Sequence, residues 1–128
     1  MNFKNLWTCS ALIVALLPGA GPAANHIADI TWSADGRFVH KTQVAAGKFV
    51  EVCGKLAAGD SVRWSFEAGA PLDFNIHYHV GKEVVFPVKL PQARAGRDTL
   101  KVEVPQDYCW MWTNKGTVPA GMTVELTR

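Results

Sequence analysis

The segment that most constrains the fold is Tyr108–Asn114, which reads YCWMWTN. Side chains alternate between the two faces of a β-strand, so this segment places its three large aromatic residues on one face. Cys109 and Met111 then fall on the opposite face. A strand with one wholly aromatic face predicts a β-sheet whose core packs against that face.

Most of the remaining chain also has the pattern of short β-strands. Apolar and polar residues alternate through 61–67, 99–104 and 122–126, and the apolar members are expected to face inward. Residues typical of turns separate these segments at short intervals. The predicted turns are Ser33–Gly36, Ala45–Lys48, Ala58–Asp60, Gly69–Pro71, Gly81–Lys82, Ala95–Arg97 and Pro119–Gly121. Residues 25–128 are therefore predicted to form one all-β domain, an antiparallel β-sandwich of about seven or eight strands with one disulfide.

The first 24 residues have the pattern of a secretory signal peptide. A short start with the single charge of Lys4 precedes the apolar run Ala11–Leu17, and small residues follow up to a cleavage point after Ala23 or Ala24. The apolar run is too short to cross a membrane, which needs about 20 residues. The sequence therefore predicts an exported protein, periplasmic or extracellular, without a membrane span in its mature part.

Charge and residue distribution argue against two large classes of function. The formal net charge is +2, and the lysines and arginines are scattered among acidic residues, which disfavours nucleic-acid binding. The serines lack the context of a catalytic nucleophile and the carboxylates form no recognisable pair. We therefore expect a protein that is not an enzyme and has no catalytic residues.

Two cysteines, Cys53 and Cys109, remain once the signal peptide and Cys9 are removed. In an exported domain such a pair predicts a disulfide. Because the enclosed loop is long, the disulfide would stabilise the fold by roughly 4 kcal/mol through the entropy of the unfolded chain. A reactive or metal-binding thiol pair is the alternative, although the close spacing typical of such pairs is missing.

Gly81-Lys82 predicts a two-residue hairpin turn with glycine in its first central position. In that register His79 lies opposite Val84, and the next positions along both strands can be assigned to faces. Phe74, Ile76 and Tyr78 share one face with Val85, while the other face also includes Val88. The mixed polar and apolar character of this second face predicts a binding surface, whose members are Asn75, His77, His79, Val84 and Phe86.

His77 and His79 are also candidates for metal ligands. Residues two apart on a strand point to the same face, with Cα atoms roughly 6.5 to 7 Å apart. Two imidazoles in this arrangement predict a copper or zinc site if a third ligand joins them. The candidate third ligands are His40, Asp73, Glu83 and Met111. The alternative is a pair of ordinary outer-strand histidines that hydrogen-bond to neighbours or water.

A second metal hypothesis depends on where the signal peptide is cleaved. Cleavage after Ala23 exposes Ala24-Asn25-His26, whose amine, backbone nitrogens and imidazole can chelate Cu(II) or Ni(II) in a square plane. Cleavage one residue later abolishes this chelate. The alternative is a disordered N-terminal tail.

The tryptophans allow two interpretations, a sugar-stacking platform or core packing. Trp64 is in phase with the apolar residues of its strand, and Trp110 and Trp112 are in phase with Tyr108. This phasing favours core packing.

Three segments together resemble the GOLD domain of the transmembrane cargo receptors of the early secretory pathway. They are Phe49–Cys53, Leu72–Ile76 and Tyr108–Asn114. In that family an early cysteine pairs with one in the later aromatic strand, so the resemblance implies a disulfide between Cys53 and Cys109. It covers roughly residues 49–126 and implies a compact β-sandwich used for protein or lipid contacts, without catalytic machinery. Since no membrane span or coiled coil follows the domain in this sequence, the receptor role is not expected to carry over.

Two functional hypotheses follow from these patterns. The first is an exported, non-enzymatic interaction module that binds a protein partner or a small apolar ligand through the predicted surface. The second is a periplasmic copper- or zinc-binding protein that uses His77 and His79.

Overall fold

The computed structural model describes residues 24–128 and shows an all-β protein of seven strands. The predicted signal peptide, residues 1–24, lies outside the described residues apart from Ala24. The strands are β1 (His26–Asp29), β2 (Arg37–Val44), β3 (Phe49–Leu56), β4 (Ser61–Val80), β5 (Glu83–Lys101), β6 (Gln106–Thr113) and β7 (Ala120–Thr127). Within residues 24–128 no helix has the length and apolar character needed to cross a membrane.

All seven strands belong to one sheet. Their order is β1-β3-β6-β4-β7-β2, and β5 pairs with the remaining edge of β4. Five of the six pairings are antiparallel, whereas β1 and β3 are parallel. The prediction of an all-β domain is confirmed. The prediction of an antiparallel sandwich is confirmed only in part, because the sheet is mixed and curls on itself.

The curl of the sheet originates in the long strand β4. Residues 63–68 of β4 pair with β7, and residues 73–77 pair with β6. Between these halves the register with β5 shifts, so β4 passes from one half of the sheet to the other. Side chains from the two halves meet inside, where the rings of Phe66 and Trp112 lie 5.6 Å apart edge to face. One core therefore fills the space that the curled sheet encloses.

Two of the predicted turns, Gly69–Pro71 and Ala95–Arg97, are wrong. Both lie inside the long strands β4 and β5, where glycine and proline mark irregular pairing instead of a reversal of the chain. Gly96 is required by packing. A Cβ atom at this position would lie 2.8 Å from Cε1 of Phe66, so a larger residue would have to displace the core.

The core contains most of the apolar residues that the alternation predicted to face inward. Trp110 and Trp112 are fully buried and Trp64 is 4% exposed, which confirms core packing and removes them as a sugar-stacking platform. Val104 is an exception at 42% exposed, because β5 ends at Lys101 and the chain then turns away. The fully buried large side chains are Leu56, Phe66, Leu72, Ile76, Trp110, Trp112 and Leu126, together with Val44, Val50, Val52, Val62 and Val124.

Asn114 closes the strand that begins at Tyr108. Its buried side-chain amide donates to the carbonyl oxygens of Val44 and Val118, at 3.0 and 2.8 Å, and its oxygen accepts from the backbone N–H of Gly116. Both the NH2 group and the oxygen of the buried side-chain amide are therefore hydrogen-bonded. The end of β6 is thereby tied to β2 and to the loop before β7.

Candidate functional site

The candidate site lies on the outer face of the half of the sheet built by β3, β6 and the hairpin end of β4 and β5. Along β3, Val50 and Val52 enter the core, so Glu51 and Cys53 point outward. The same alternation turns Cys109 outward on β6. We call this surface the histidine face, and its members are Glu51, Cys53, Asn75, His77, His79, Val84, Phe86, Cys109 and Met111.

A disulfide joins Cys53 and Cys109 on the histidine face. The two residues lie directly opposite each other on β3 and β6, with Cα atoms 4.1 Å apart. His77 is the next residue in the same cross-strand row, since it pairs with Cys109. The disulfide therefore fixes the two strands that flank the histidines on one side.

The β4–β5 hairpin has the predicted turn. Gly81 has a φ of 59°, as the first central position of such a turn requires, and His79 pairs with Val84. A register shift between Ile76 and Tyr78 places Val88 opposite Ile76, half-buried against the core. The prediction that Val88 shares a face with the histidines is therefore wrong, because a β-bulge inserts one extra residue on β5.

His77 is the centre of the histidine face, and it is buried beneath its neighbours. Only 6% of its surface is exposed, so His77 lies under the predicted binding surface and not on it. Its Nδ1 makes a hydrogen bond of 2.8 Å with Oδ1 of Asn75. Its Nε2 faces Oε2 of Glu51 at 3.7 Å, a contact that reaches across β6.

The pKa shifts of His77 and Glu51 both oppose an ion pair between the two side chains. Burial lowers the pKa of His77, and the nearby His79 lowers it further. Burial raises the pKa of Glu51, an effect that His79 opposes. Both groups are thus shifted toward their neutral forms, and a distance of 3.7 Å is too long for a hydrogen bond between them.

The exposed part of the histidine face consists of His79 and apolar residues of the hairpin. The ring of His79 lies edge-on to that of His77, with centroids 5.3 Å apart. Phe86 is 41% exposed and lies 5.9 Å from the His77 ring. Lys89 places its ammonium nitrogen 4.1 Å above the Phe86 ring, a cation–π contact.

Of the four residues considered as third metal ligands, Met111 lies on the histidine face beside Glu51 and Asn75, and Asp73 points to the same side of the sheet farther along β4. His40 lies elsewhere, with its ring stacked on His26 at 5.9 Å. Asp73 pairs with Lys115 at 2.6 Å, and the hydrogen bond to Lys115 is the main reason why its pKa is lowered. Glu83 lies at the tip of the hairpin, opposite Val80.

Glu51 is the acidic residue that the sequence analysis missed. Glu51 precedes Cys53 by two residues on β3, so the alternation that turns Cys53 outward also turns Glu51 outward. Combined with the Cys53–Cys109 pairing, this phase places Glu51 on the disulfide's face. What the sequence did not reveal is that β6 lies between β3 and β4, which brings Glu51 and His77 together above one strand.

The folded chain engages the residues of the second predicted metal site. The side chain of Asn25 accepts a hydrogen bond of 3.0 Å from the backbone N–H of Phe49. His26 begins β1, pairs with Val50 and stacks on His40. A square-planar chelate at Ala24-Asn25-His26 would have to replace these contacts.

The outer face of the other half of the sheet differs in character. It carries Arg37, Lys41, Arg63, Glu67, Arg97 and Glu125, and we call it the charged face. Arg37 and Glu125 form a two-pronged ion pair there, with both N–O distances 2.9 Å. Three open grooves of about 540, 620 and 420 Å³ lie on this face, lined mainly by polar and charged side chains.

Comparisons with known proteins relate this fold to other small β modules. No family model and no curated protein sequence matches the chain. The solved structure of PliG from Aeromonas hydrophila, a periplasmic inhibitor of g-type lysozyme, is similar over 82% of this chain and 98% of its own, with a TM-score of 0.56 and 9% identity. PliG from Salmonella Typhimurium is similar over 80% and 97%, with a TM-score of 0.53 and 6% identity.

A third similar structure is the pre-peptidase C-terminal domain of a collagenase from Bacillus anthracis. It matches 81% of this chain and 92% of its own length, with a TM-score of 0.52 and 13% identity. At such identities the likeness concerns the fold. These neighbours are not GOLD-domain proteins, and the GOLD resemblance stays a prediction that they do not test.

Proposed function

We propose that the chain is an exported, non-enzymatic module that binds a protein partner through the tip of the β4–β5 hairpin. The observation that carries the proposal is a cluster of exposed apolar side chains at this tip. They are Val80, Val84, Val85 and Phe86, exposed by 49, 40, 36 and 41%. Two of them lie on each face of the hairpin, and exposed apolar side chains concentrated at one tip typically mark an interaction site.

The protein's own sheet does not cover this tip. Pairing between β4 and β6 ends at His77, so the hairpin beyond that residue has only its own two strands. Val84 and Val80 alternate onto opposite faces of the hairpin, and both are exposed. A partner can therefore contact the tip from either side.

The mode of contact that fits the hairpin is packing of side chains. β5 pairs only with β4, which leaves its second edge open. Pro87 and Pro91 interrupt the backbone donors along that edge, and Lys89 adds a charge. These residues disfavour the addition of a partner strand, so recognition falls to Phe86 and the valines.

A protein partner fits this surface better than a small apolar ligand. The tip projects from the sheet, whereas small ligands bind in concave pockets. The three grooves described above lie on the charged face, away from the tip. The PliG proteins, whose fold is similar, are inhibitors of g-type lysozyme, so a g-type lysozyme is the first partner to test.

The test measures binding of the exported chain to a g-type lysozyme, together with inhibition of the lysozyme. The double variant Val84→Ser/Phe86→Ser removes the apolar tip, and Val39→Ser is the matched control because Val39 is 50% exposed on the other half of the sheet. We expect the tip variant to bind about tenfold more weakly or worse, as for residues central to an interface. The control should bind like the unchanged protein.

If no lysozyme binds, the same variants are compared on a partner isolated from the native exported fraction. A photo-cross-linker at position 84 is expected to capture that partner, and one at position 39 is not. The proposal is wrong if the tip variant binds the purified partner as tightly as the Val39→Ser control does.

A further inference from the structure

Beyond partner binding, the geometry around His77 points to a cation site on the histidine face. The imidazole of His77 and the carboxylate of Glu51 approach to 3.7 Å, with side chains only 7 and 13% exposed. These two atoms face each other without a hydrogen bond between them, because the separation exceeds hydrogen-bonding distance.

The hydrogen bond to Asn75 settles which ring nitrogen of His77 is available. An amide oxygen only accepts, so Nδ1 of the neutral ring carries the proton that is shared with Oδ1 of Asn75. Nε2 then presents a lone pair toward the carboxylate of Glu51. Histidines that bind metals are usually held this way, with the second nitrogen donating to a carbonyl or carboxylate oxygen.

The distance between the two lone pairs suits a shared ion. Zinc binds histidine nitrogen and carboxylate oxygen at about 2.0 to 2.2 Å, which puts two such ligands of a tetrahedral site about 3.3 to 3.6 Å apart. Nε2 of His77 and Oε2 of Glu51 lie 3.7 Å apart. A small shift of either side chain brings both to an ion placed between them.

His79 supplies the third ligand. It lies two residues from His77 on the same face, it is exposed, and its ring centroid is 5.3 Å from that of His77. Its ligand atoms do not lie within 4.8 Å of both His77 and Glu51 among the described residues, so its side chain would have to rotate toward the ion. Water completes the coordination.

The two cysteine sulfur atoms close to Glu51 are not ligands. Glu51, Cys53 and Cys109 have potential ligand atoms within 4.8 Å of one another. The cysteines, however, are joined in a disulfide, and the metal-binding form of cysteine is the free thiolate. The two histidines and Glu51 supply nitrogen and oxygen donors, which Zn²⁺ and Cu²⁺ accept.

We propose that His77, Glu51 and His79 bind one Zn²⁺ or Cu²⁺ ion, with Asn75 orienting His77. The site goes beyond the proposed partner binding and does not depend on it. The ion would also replace the unfavourable approach of two lone pairs by two favourable bonds. We therefore expect binding to stabilise the fold, since a ligand that binds only the folded state raises the melting temperature.

The experiment titrates the exported protein with Zn²⁺ and, separately, with Cu²⁺ by calorimetry. A His26→Ala background removes the chelate that the N-terminus can form. In this background we expect one ion per chain, with affinity reduced at least about tenfold by His79→Ala and by Glu51→Gln. His40→Ala is the matched control, because His40 lies away from the site, and it should bind like the background protein.

Electron paramagnetic resonance of the Cu²⁺ form provides a second readout that does not depend on affinity. Two imidazole nitrogens are expected in the background protein and one in the His79→Ala variant. Circular dichroism checks that each variant is folded. The proposal is overturned if the folded background protein binds neither ion saturably, or if His79→Ala and Glu51→Gln bind as tightly as His40→Ala.

Discussion

The two outer faces of the sheet each pair a basic side chain with a carboxylate, and the pairs behave in opposite ways. On the charged face, Arg37 and Glu125 are 52 and 42% exposed and make two hydrogen bonds, which raise the pKa of Arg37 and lower that of Glu125. On the histidine face, His77 and Glu51 are buried and their pKa values shift toward the neutral forms. Where the pair is buried without a hydrogen bond, desolvation shifts both pKa values in the direction opposite to the one that attraction between the charges would produce.

The difference indicates what each face is suited to do. An exposed, fully hydrogen-bonded ion pair is satisfied where it is, and water screens it. On the histidine face, His77 and Glu51 approach each other without a hydrogen bond, and burial weakens the hydration of both groups. We therefore place the proposed cation site on the histidine face and not on the charged face.

The largest expected effect concerns the covalent link on the histidine face. Replacing both cysteines in Cys53→Ser/Cys109→Ser removes a loop closure across 56 residues, and we expect a loss of roughly 2 to 5 kcal/mol in the free energy of unfolding. Urea denaturation measures it. Reducing the disulfide of the unchanged protein should cause a similar loss, and a difference of less than about 1 kcal/mol for both would contradict the prediction.

The next largest effect is the difference in stability between variants of Glu51 and Glu125. The pKa of Glu51 is raised above its ordinary 4.5, so its contribution to stability is present below that pH and is lost as the pH rises through the folded-state pKa. Glu51→Gln should therefore stabilise the protein at pH 7, by about 1 kcal/mol. The matched change Glu125→Gln should destabilise it, because the pKa of Glu125 is lowered. Equal signs for the two variants would show that burial does not distinguish Glu51 from Glu125.

A smaller effect appears in the dependence of stability on pH. The pKa of His77 is lowered from 6.5, so its contribution is present above that pH and is lost as the pH falls through the folded-state pKa. Melting temperatures of the unchanged protein should therefore fall as the pH drops below about 6.5. In a folded His77→Gln variant this part of the slope should be weaker. A slope that stays the same would assign the effect to another group.

The smallest effect is expected on the charged face. Arg37→Ala breaks the exposed pair with Glu125, and the loss in stability should be slight and should shrink as salt is added. Denaturation at low and high salt measures it. A large, salt-independent loss would show that the pair is structural and that exposure is not the deciding difference between the faces.

The alternation of apolar and polar residues along each strand predicted which side chains face the core. Trp64 and Trp110 are in phase with their apolar neighbours, and both are buried where the phase placed them. Gly81 likewise identified its hairpin turn, because few residues accept a positive φ at that position. These features depend on neighbours in sequence.

The features that the sequence did not predict depend on which strands become neighbours. Gly96 was taken for a turn residue, yet its lack of a side chain is needed by Phe66 on another strand. Glu51 was passed over because its partner His77 lies across an intervening strand. The β-bulge near Val88 reversed a face assignment for the same reason, since register beyond a turn is set by the paired strand.

The pairing of β2 with β7 has a consequence for how the chain is made. β2 has no neighbour in the sheet other than β7, and Arg37 pairs with Thr127 near the far end of the sequence. A ribosome releases β2 long before β7, so in that interval the backbone groups of β2 have no strand to pair with. We expect β4 and β5, which are adjacent in sequence, to pair early, and the sheet to be completed only when the last strand emerges.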